Sequence, residues 1–126
     1  MKPINFQMTT NELSVVNNYI ADGIYTVAPQ FTRTVWKEDD QHDCIRLIVE
    51  IKSTEEQPFP VNVKADLTAR FETGDIPLEE LDAFMNYQTV QILLPYLRAM
   101  ISSVTTGAYM APIILPLLNA HDIFVE

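Results

Sequence analysis

The stretch Pro60–Glu72, PVNVKADLTARFE, alternates strictly between apolar and polar residues. The apolar set is Val61, Val63, Ala65, Leu67, Ala69 and Phe71, and the polar set is Asn62, Lys64, Asp66, Thr68, Arg70 and Glu72. This alternation is typical of a β-strand with one buried and one solvated face. The stretch therefore predicts a strand of an antiparallel sheet that is covered on one side.

Further strands are predicted upstream. Asp43–Ser53 is predicted to be another strand, which a polar, proline-containing hairpin connection joins to Pro60–Glu72. Its inward-facing residues are Ile45, Leu47, Val49 and Ile51. The start of the sheet is expected within Leu13–Ala28, where Gly23 would mark a bulge. The surface crossing that follows, up to His42, has room for a short strand around Trp36.

Downstream of these strands, apolar residues recur at helical spacing. In Gly74–Met85, GDIPLEELDAFM, Asp75 is the predicted N-cap and Pro77 lies in the first turn, where its missing N–H does no harm. Val90–Thr105 is a long helix that Pro95 either starts or bends. Strands followed by helices indicate an α+β fold with helices packed on one face of an antiparallel sheet.

The long helix has one narrow polar ridge and is apolar or small elsewhere. The ridge residues are Gln91, Pro95, Arg98, Ser102 and Thr105. So much apolar surface calls for two neighbours, its own sheet and a second copy of the chain. The predicted oligomer interface consists of Leu93, Leu97, Met100, Ile101 and Val104. In the alternative, Gly107–Leu118, GAYMAPIILPLL, folds back and covers the excess.

The composition excludes several classes of protein. The 126 residues are expected to form one domain, 1–126, that can bury a core. A net charge of −9 argues against nucleic-acid binding and anionic membrane surfaces. Cys44 is the single cysteine, so no disulfide framework is expected. The N-terminus lacks a signal-peptide core, and prolines interrupt the apolar last third, so we expect a cytoplasmic protein without membrane insertion.

The C-terminal half resembles the helix and crossover loop of the SecB export chaperones. The matching elements are Pro95–Tyr96 in an apolar helix, the Gly107–Tyr109 turn and the apolar segment Ala111–Leu118. Ala28–Pro29, followed by Phe31 and Trp36, is similar to the family's first crossing. The order of strands, helical region and apolar loop matches over nearly the whole chain, which makes the resemblance fairly specific.

The resemblance implies a four-stranded antiparallel sheet with helices on one face, assembled as a homotetramer, a dimer of dimers. It implies an ATP-independent holdase that binds unfolded or precursor polypeptides in apolar grooves for protein export. Methionine and aromatic side chains suit such promiscuous surfaces. The expected groove residues are Phe31, Trp36, Phe84, Met85, Tyr109 and Met110. Ordinary core or interface packing is the alternative role for each of them.

Two departures bear on docking to the SecA motor, which standard SecB proteins approach through an acidic sheet face and a C-terminal tail. Asp22 matches one acidic position and is the candidate SecA contact, whereas Val27 and Lys64 stand where the family prefers a carboxylate. The chain ends soon after His121, so the last helix is expected to have one turn and the tail to be absent. A dedicated chaperone of one client, such as an antitoxin, is the alternative function. A non-chaperone interaction domain is the third hypothesis.

Candidates for catalysis are few. His42 and Cys44 would share one strand face, but a Cys–His pair also needs contact between ring and sulfur and a third orienting group. Three glycines leave no glycine-rich phosphate loop. Two histidines and one cysteine are not clustered for a metal. We therefore predict a protein that is not an enzyme and has no metal site or cofactor.

Overall fold

Four antiparallel strands form one sheet in the computed structural model, which describes residues 4–21, 23–26 and 28–124. They are β1 (Phe6–Asn17), β2 (Gln30–Asp39), β3 (His42–Ile51) and β4 (Val61–Glu72). The spatial order is β1-β4-β3-β2. Because β1 and β2 are opposite edges, the connection between them, residues 18–29, crosses one end of the sheet; we call it the crossing.

The two central strands match their sequence patterns. All six apolar residues predicted to face inward in β4 are buried, as are the four predicted in β3. Phe6 lies opposite Phe71 at one end of the β1–β4 pair, and Asn17 lies opposite Val61 at the other. The alternation therefore predicted the central strands and their inner face correctly.

The strand predicted within Leu13–Ala28 was wrong in its position. β1 starts seven residues before Leu13 and ends at Asn17, and the crossing holds Gly23. The bulge lies instead between Thr10 and Glu12. There the Asn11 amide donates to the Asp66 carboxylate at 3.0 Å and to the Thr68 hydroxyl at 2.8 Å. Most β1 side chains are exposed, since β1 is an edge strand, so its sequence shows no alternation.

The strand predicted around Trp36 is longer than expected. β2 is a ten-residue edge strand, with Phe31, Arg33 and Val35 on the inner face. The guanidinium of Arg33 donates to the Asn86 carbonyl and lies 4.9 Å from the Tyr87 ring centroid and 4.4 Å from that of Phe124. Because one inner-face residue is charged, the sequence of this strand does not show the apolar alternation that predicts a strand.

The helical region begins at α1 (Leu78–Ala83) and continues through a π turn (Phe84–Gln88) into α2 (Thr89–Gly107). Pro77 precedes the first helical residue and no side chain caps it, so the prediction of Asp75 as N-cap was wrong. Pro95 lies inside α2 and does not start it. A last turn, α3 (Ala120–Ile123), is capped by Asn119, whose side chain accepts a hydrogen bond from the His121 N–H at 2.9 Å.

The core lies between α2 and the inner face of the sheet. The helix buries Val90, Leu93, Leu94, Leu97 and Ile101 together with the inner residues of β3 and β4. The predicted α+β fold, a four-stranded antiparallel sheet with helices on one face, is confirmed. Among the helices of the described residues, none has the length and apolar character needed to cross a membrane.

Candidate functional site

The segment between α2 and α3, residues 111–119, runs back along the polar ridge of α2; we call it the strap. The Ile113 N–H donates to the Thr105 hydroxyl at 3.0 Å, and the Arg98 guanidinium donates to the Leu115 carbonyl at 2.8 Å. Gln91 donates to the Leu118 carbonyl at 3.3 Å and accepts from the Ala120 N–H at 2.9 Å. The polar ridge therefore binds the chain's own segment 111–119, which folds back along the ridge rather than over the apolar surface that the alternative prediction expected it to cover.

The strap presents alternate side chains to the core and to solvent. Ile113 and Leu115 are buried in the hydrophobic core, whereas Ile114 is 67% exposed and Leu117 is 86% exposed. Exposed apolar patches on a folded domain often mark a contact surface. The outer side of the strap is therefore a candidate contact surface.

A groove of about 750 Å³ lies between the crossing and the strap. It is lined by Asn17, Tyr19, Ile20, Ala21, Gly23, Tyr25, Phe59, Pro60, Val61, Tyr109, Met110, Ala111, Pro112, Ile113 and Ile114. Not one of these described lining residues carries a charge, so we call it the uncharged groove. Such a surface favours the burial of apolar segments and penalises the burial of an unpaired charge.

Two tyrosines of this groove are almost fully solvent-exposed. Tyr19 is 90% exposed and Tyr109 is 100% exposed. Both have positive φ, 55° for Tyr19 and 60° for Tyr109. For a residue with a bulky side chain this conformation costs about 1–2 kcal/mol. The groove thus combines exposed aromatic rings with backbone strain.

A second groove, of about 1300 Å³, lies at the opposite end of the β1–β4 pair. It is lined by Ile4, Asn5, Gln41, His42, Glu72, Gly74, Asp75, Ile76, Pro77, Glu79, Glu80, Ala83, Phe84, Tyr87, Gln88 and His121. Four of these are carboxylates, and none of the described lining residues is Lys or Arg, so we call it the acidic groove. It is larger than the uncharged groove, but its carboxylates would lose hydration if an apolar segment covered them.

The structure distributes the six predicted groove residues over four places. Tyr109 and Met110 both line the uncharged groove. Phe84 and its neighbour Met85 are both buried in the core, and Phe84 also lines the acidic groove. The remaining two residues are in β2: Phe31 packs against the core on the inner face, and Trp36 lies opposite Cys44 on the outer face.

Sequence reasoning missed the half of the uncharged groove that the crossing supplies. Tyr19, Ile20 and Tyr25 were assigned to a strand, although their segment lacks alternation. Ile114 was recognised as part of an apolar segment but not as a lining residue. A cluster of large apolar residues without strand or helix periodicity was the available signal.

The five predicted interface residues divide by burial. Leu93, Leu97 and Ile101 are fully buried within one chain, in contact with its own core. Met100 and Val104 are partly buried, and nearby Tyr96 is 44% exposed. Met100 and Val104 are therefore the two predicted interface residues whose side chains stay partly accessible in the single chain.

The outer face of the sheet carries paired charges. Lys64 lies 3.4 Å from Glu12, Arg70 pairs with Glu38, and Arg46 donates to both carboxylate oxygens of Asp66 at 2.9 Å and 2.5 Å. The hydrogen bond from Arg46, joined by one from Asn11, holds the pKa of Asp66 below its ordinary value of 3.8, and burial opposes this shift. The remaining predicted contact on the sheet, Asp22, lies outside the described residues, as does Val27.

The residues with nucleophilic or metal-binding chemistry lie beside this face. The His42 ring nitrogen Nδ1 is 2.8 Å from a carboxylate oxygen of Asp39. Burial raises the pKa of the Cys44 thiol, which disfavours the reactive thiolate. Glu38, Asp39 and His42 place their ligand atoms within 4.8 Å of one another. Arg70 and His42 already occupy the carboxylates of Glu38 and Asp39, so this exposed cluster does not point to a bound cation.

Comparison with known proteins identifies the family. The chain is 33% identical to the uncharacterized protein MJ0357 of Methanocaldococcus jannaschii over 75 residues, which cover 57% of this chain. The match covers 48% of that relative, so the chain spans about half its length. The fold is similar to that of the Mycobacterium tuberculosis Rv1957 SecB-like chaperone in complex with a ChAD peptide from the Rv1956 HigA1 antitoxin.

That structural match has a TM-score of 0.73 at 16% sequence identity, and it covers 92% of this chain and 91% of the other. At this identity it shows a shared fold. Residues 9–126 match the family described as preprotein translocase subunit SecB. The matched region includes all of the sheet except its first three residues, the helices and the strap. The chain therefore belongs to the SecB family.

Proposed function

We propose that this protein is a chaperone that holds unfolded polypeptides without ATP and binds their apolar segments in the uncharged groove. The observation that carries the proposal is the groove itself, in which no described lining residue is charged and two tyrosine rings are exposed. Membership of the SecB family supports a chaperone role. Burial of apolar area requires no sequence motif in the client, so one groove can accept many segments.

The route of the client is proposed to be export from the cytoplasm, as the family description suggests. A second candidate function is protection of one dedicated client. The observation that favours it is the structural similarity to a SecB-like chaperone in complex with an antitoxin peptide. Lys64, which stands where the family prefers a carboxylate, pairs with Glu12 on the outer face of the sheet, and this also favours the dedicated role over docking to SecA.

We propose further that the functional particle is a homo-oligomer, a tetramer built as a dimer of dimers. The half-buried side chains of Met100 and Val104 on α2, with Tyr96 beside them, are the surface that a second copy would cover. Light scattering tests this. A tetramer in solution that dissociates in a Met100→Glu variant supports the assignment, and a wild-type monomer refutes it.

Aggregation assays test the holdase function. Two unrelated proteins are diluted from denaturant with and without stoichiometric amounts of this protein, in the absence of nucleotide. Suppression of aggregation for both supports a general holdase, and suppression that is limited to a single client protein supports the dedicated function. A pull-down with purified SecA then separates export from the dedicated role. If nothing is protected, the chaperone proposal is wrong.

A further inference from the structure

Three polar side chains of α2 hold the strap through its main chain alone. Thr105 accepts a hydrogen bond from one N–H, Arg98 donates to one carbonyl, and Gln91 binds a carbonyl together with the N–H of Ala120, directly after the strap. Between residues 111 and 118 no described main-chain group bonds to another main-chain group. The α2 side chains therefore satisfy polar groups that a neighbouring strand would satisfy in a sheet.

The spacing of these side chains matches an extended polypeptide. Gln91, Arg98 and Thr105 follow one another at intervals of seven residues, so they lie along one face of α2. Two such intervals span about 21 Å of helix. The six residues from Ile113 to Asn119 span about 20 Å when the chain is extended. The strap therefore runs extended and antiparallel to α2.

The side chains of the strap alternate as those of a bound extended peptide do. Ile113 and Leu115 are buried in the core, and Ile114 between them is exposed. Pro112 and Pro116 have no N–H that would need a partner. Proteins that bind a peptide as an added strand use main-chain bonds for affinity and pockets for alternate side chains. The contacts that hold the strap thus require two apolar side chains and no further sequence.

Arg98 makes the strongest of the main-chain bonds. It is the single charged residue of α2, it is half-buried, and it forms an ion pair with no carboxylate of the described residues. Its guanidinium instead donates to the Leu115 carbonyl at 2.8 Å. Charge-assisted bonds are about twice as strong as neutral ones. Because the acceptor is a main-chain carbonyl, any extended polypeptide can offer it.

We infer that α2 carries a second site for extended client segments, which the strap fills in the free protein as an internal competitor. The site, which we call the ridge site, consists of Gln91, Arg98 and Thr105 with the core pockets of Ile113 and Leu115. The inference rests on the proposed function and adds to it a site and its regulation. The ligand class is an extended segment with apolar residues at positions i and i+2. A client reaches the ridge site only where the strap is detached, so its apparent affinity falls with that fraction.

Loosening the strap tests the inference. Leu115→Ala removes a buried strap side chain that lines neither groove. Leu115→Val is a milder change that keeps the test open if the alanine variant does not fold. Leu47→Ala is the matched control, because it removes an equally buried leucine from β3, outside the strap and α2.

Binding is followed by fluorescence anisotropy with three labelled, uncharged peptides. The first has the strap sequence APIILPLLN. The second has serine in place of its first isoleucine and its first leucine, the two residues that the strap buries. The third has an unrelated sequence but keeps apolar residues at those two positions. Urea unfolding of each variant shows how far it is destabilised.

We expect Leu115→Ala to bind the first and third peptides about tenfold more tightly than the wild type, because the ridge site is open in more molecules. Leu115→Val should show a smaller gain. Leu47→Ala, destabilised to a similar extent, should bind as the wild type does, and the serine peptide should gain nothing. Adding Arg98→Met to Leu115→Ala should reverse the gain, because the peptide then loses its charge-assisted bond.

Three results would overturn the inference while a wild type that suppresses aggregation leaves the chaperone proposal intact. One is a folded Leu115 variant that binds the peptides no more tightly than the wild type, which would make the strap a wall and not a competitor. Another is an equal gain in Leu47→Ala, which would assign the gain to general loosening of the core. The third is a gain for the strap peptide alone. If no peptide binds to any variant and no client is protected, the proposed function and the inference are both wrong.

Discussion

The two grooves lie at opposite ends of the same pair of strands and are built from different kinds of segment. The uncharged groove is walled mainly by the crossing and the strap, whose described residues have no regular secondary structure. The acidic groove is walled by the start of the helical region and by the ends of β-strands. Carboxylates such as Glu79 and Glu80 belong there because they complement the dipole of a helix start.

The difference is the reason why the proposed binding site is the smaller of the two grooves. The acidic groove has the larger volume, but two of its four carboxylates, Glu79 and Glu80, lie in the first turn of a helix and complement its dipole. The smaller groove exposes apolar side chains that no local requirement explains. The chemistry of the lining therefore distinguishes a candidate binding surface from a cleft between elements.

The largest expected effect is on the free energy of unfolding, for substitutions in the strap, which forms one wall of the uncharged groove. Leu115→Ala removes a fully buried side chain and should lower the free energy of unfolding by about 2–5 kcal/mol. Leu117→Ala, two residues along on the exposed side, should change it by at most about 0.5 kcal/mol. Urea denaturation measures both. Equal effects would mean that the strap does not pack on the core in solution.

The outer face of the sheet lines neither groove. A substitution there should therefore lower the stability of the fold without distinguishing the two grooves. Asp66→Asn removes the charge that receives two hydrogen bonds from Arg46 and should cost about 1.5–3 kcal/mol at neutral pH. Because the pKa of Asp66 is lower in the folded state, its contribution is present above pH 3.8 and is lost as the pH falls through the folded value.

Thermal unfolding at a series of pH values checks this prediction. The wild type should lose stability between pH 5 and the folded pKa of Asp66 by more than the Asn variant does. If both lose the same amount, Asp66 does not carry the acid sensitivity of the sheet.

A single charge should affect the two grooves differently. Ile114→Asp places a carboxylate in the uncharged groove and should weaken binding of an unfolded client about tenfold, which corresponds to about 1.4 kcal/mol. Glu79→Gln changes the net charge by the same amount, in the opposite direction, within the acidic groove and should leave client affinity unchanged. Isothermal titration with an unfolded protein measures both. Weaker binding in Glu79→Gln instead would assign clients to the acidic groove.

Salt should have the smallest effect. At about 0.1 M ionic strength exposed charges more than about 10 Å apart are already largely screened, and apolar burial does not depend on them. Client affinity should therefore change by less than about twofold when the salt is raised from about 0.1 M to 1 M. A steep decrease in affinity would indicate that carboxylates, and hence the acidic groove, hold the client.

The sequence correctly predicted the strands in which alternate side chains are buried on one face of the sheet. In β4 the alternation from Val61 to Phe71 reports directly which residues are buried. It did not predict β1 or the full length of β2, because edge strands bury little and Arg33 faces inward with partners from distant segments. Local patterns cannot show such partners.

The same limit applies to the candidate site. Tyr109 and Met110 follow a helix whose end the sequence makes visible, and both line the uncharged groove. Tyr19 reaches the groove only because β1 pairs with β4 and brings Asn17 opposite Val61. The ridge on α2 was recognised as polar, but its partner is the backbone of the strap, which has no side-chain pattern to read.

The strap's bonds to α2 also give its detachment a spectroscopic signature. The Ile113 amide, in the strap, and the Ala120 amide, at the start of α3, both donate to side chains of α2. Amide hydrogen exchange reports each protecting bond separately. These two amides should exchange slowly while the strap lies on the helix, and they should lose protection whenever it leaves. They can therefore reveal an opening of the groove that circular dichroism, which follows the helix and the sheet, would not detect.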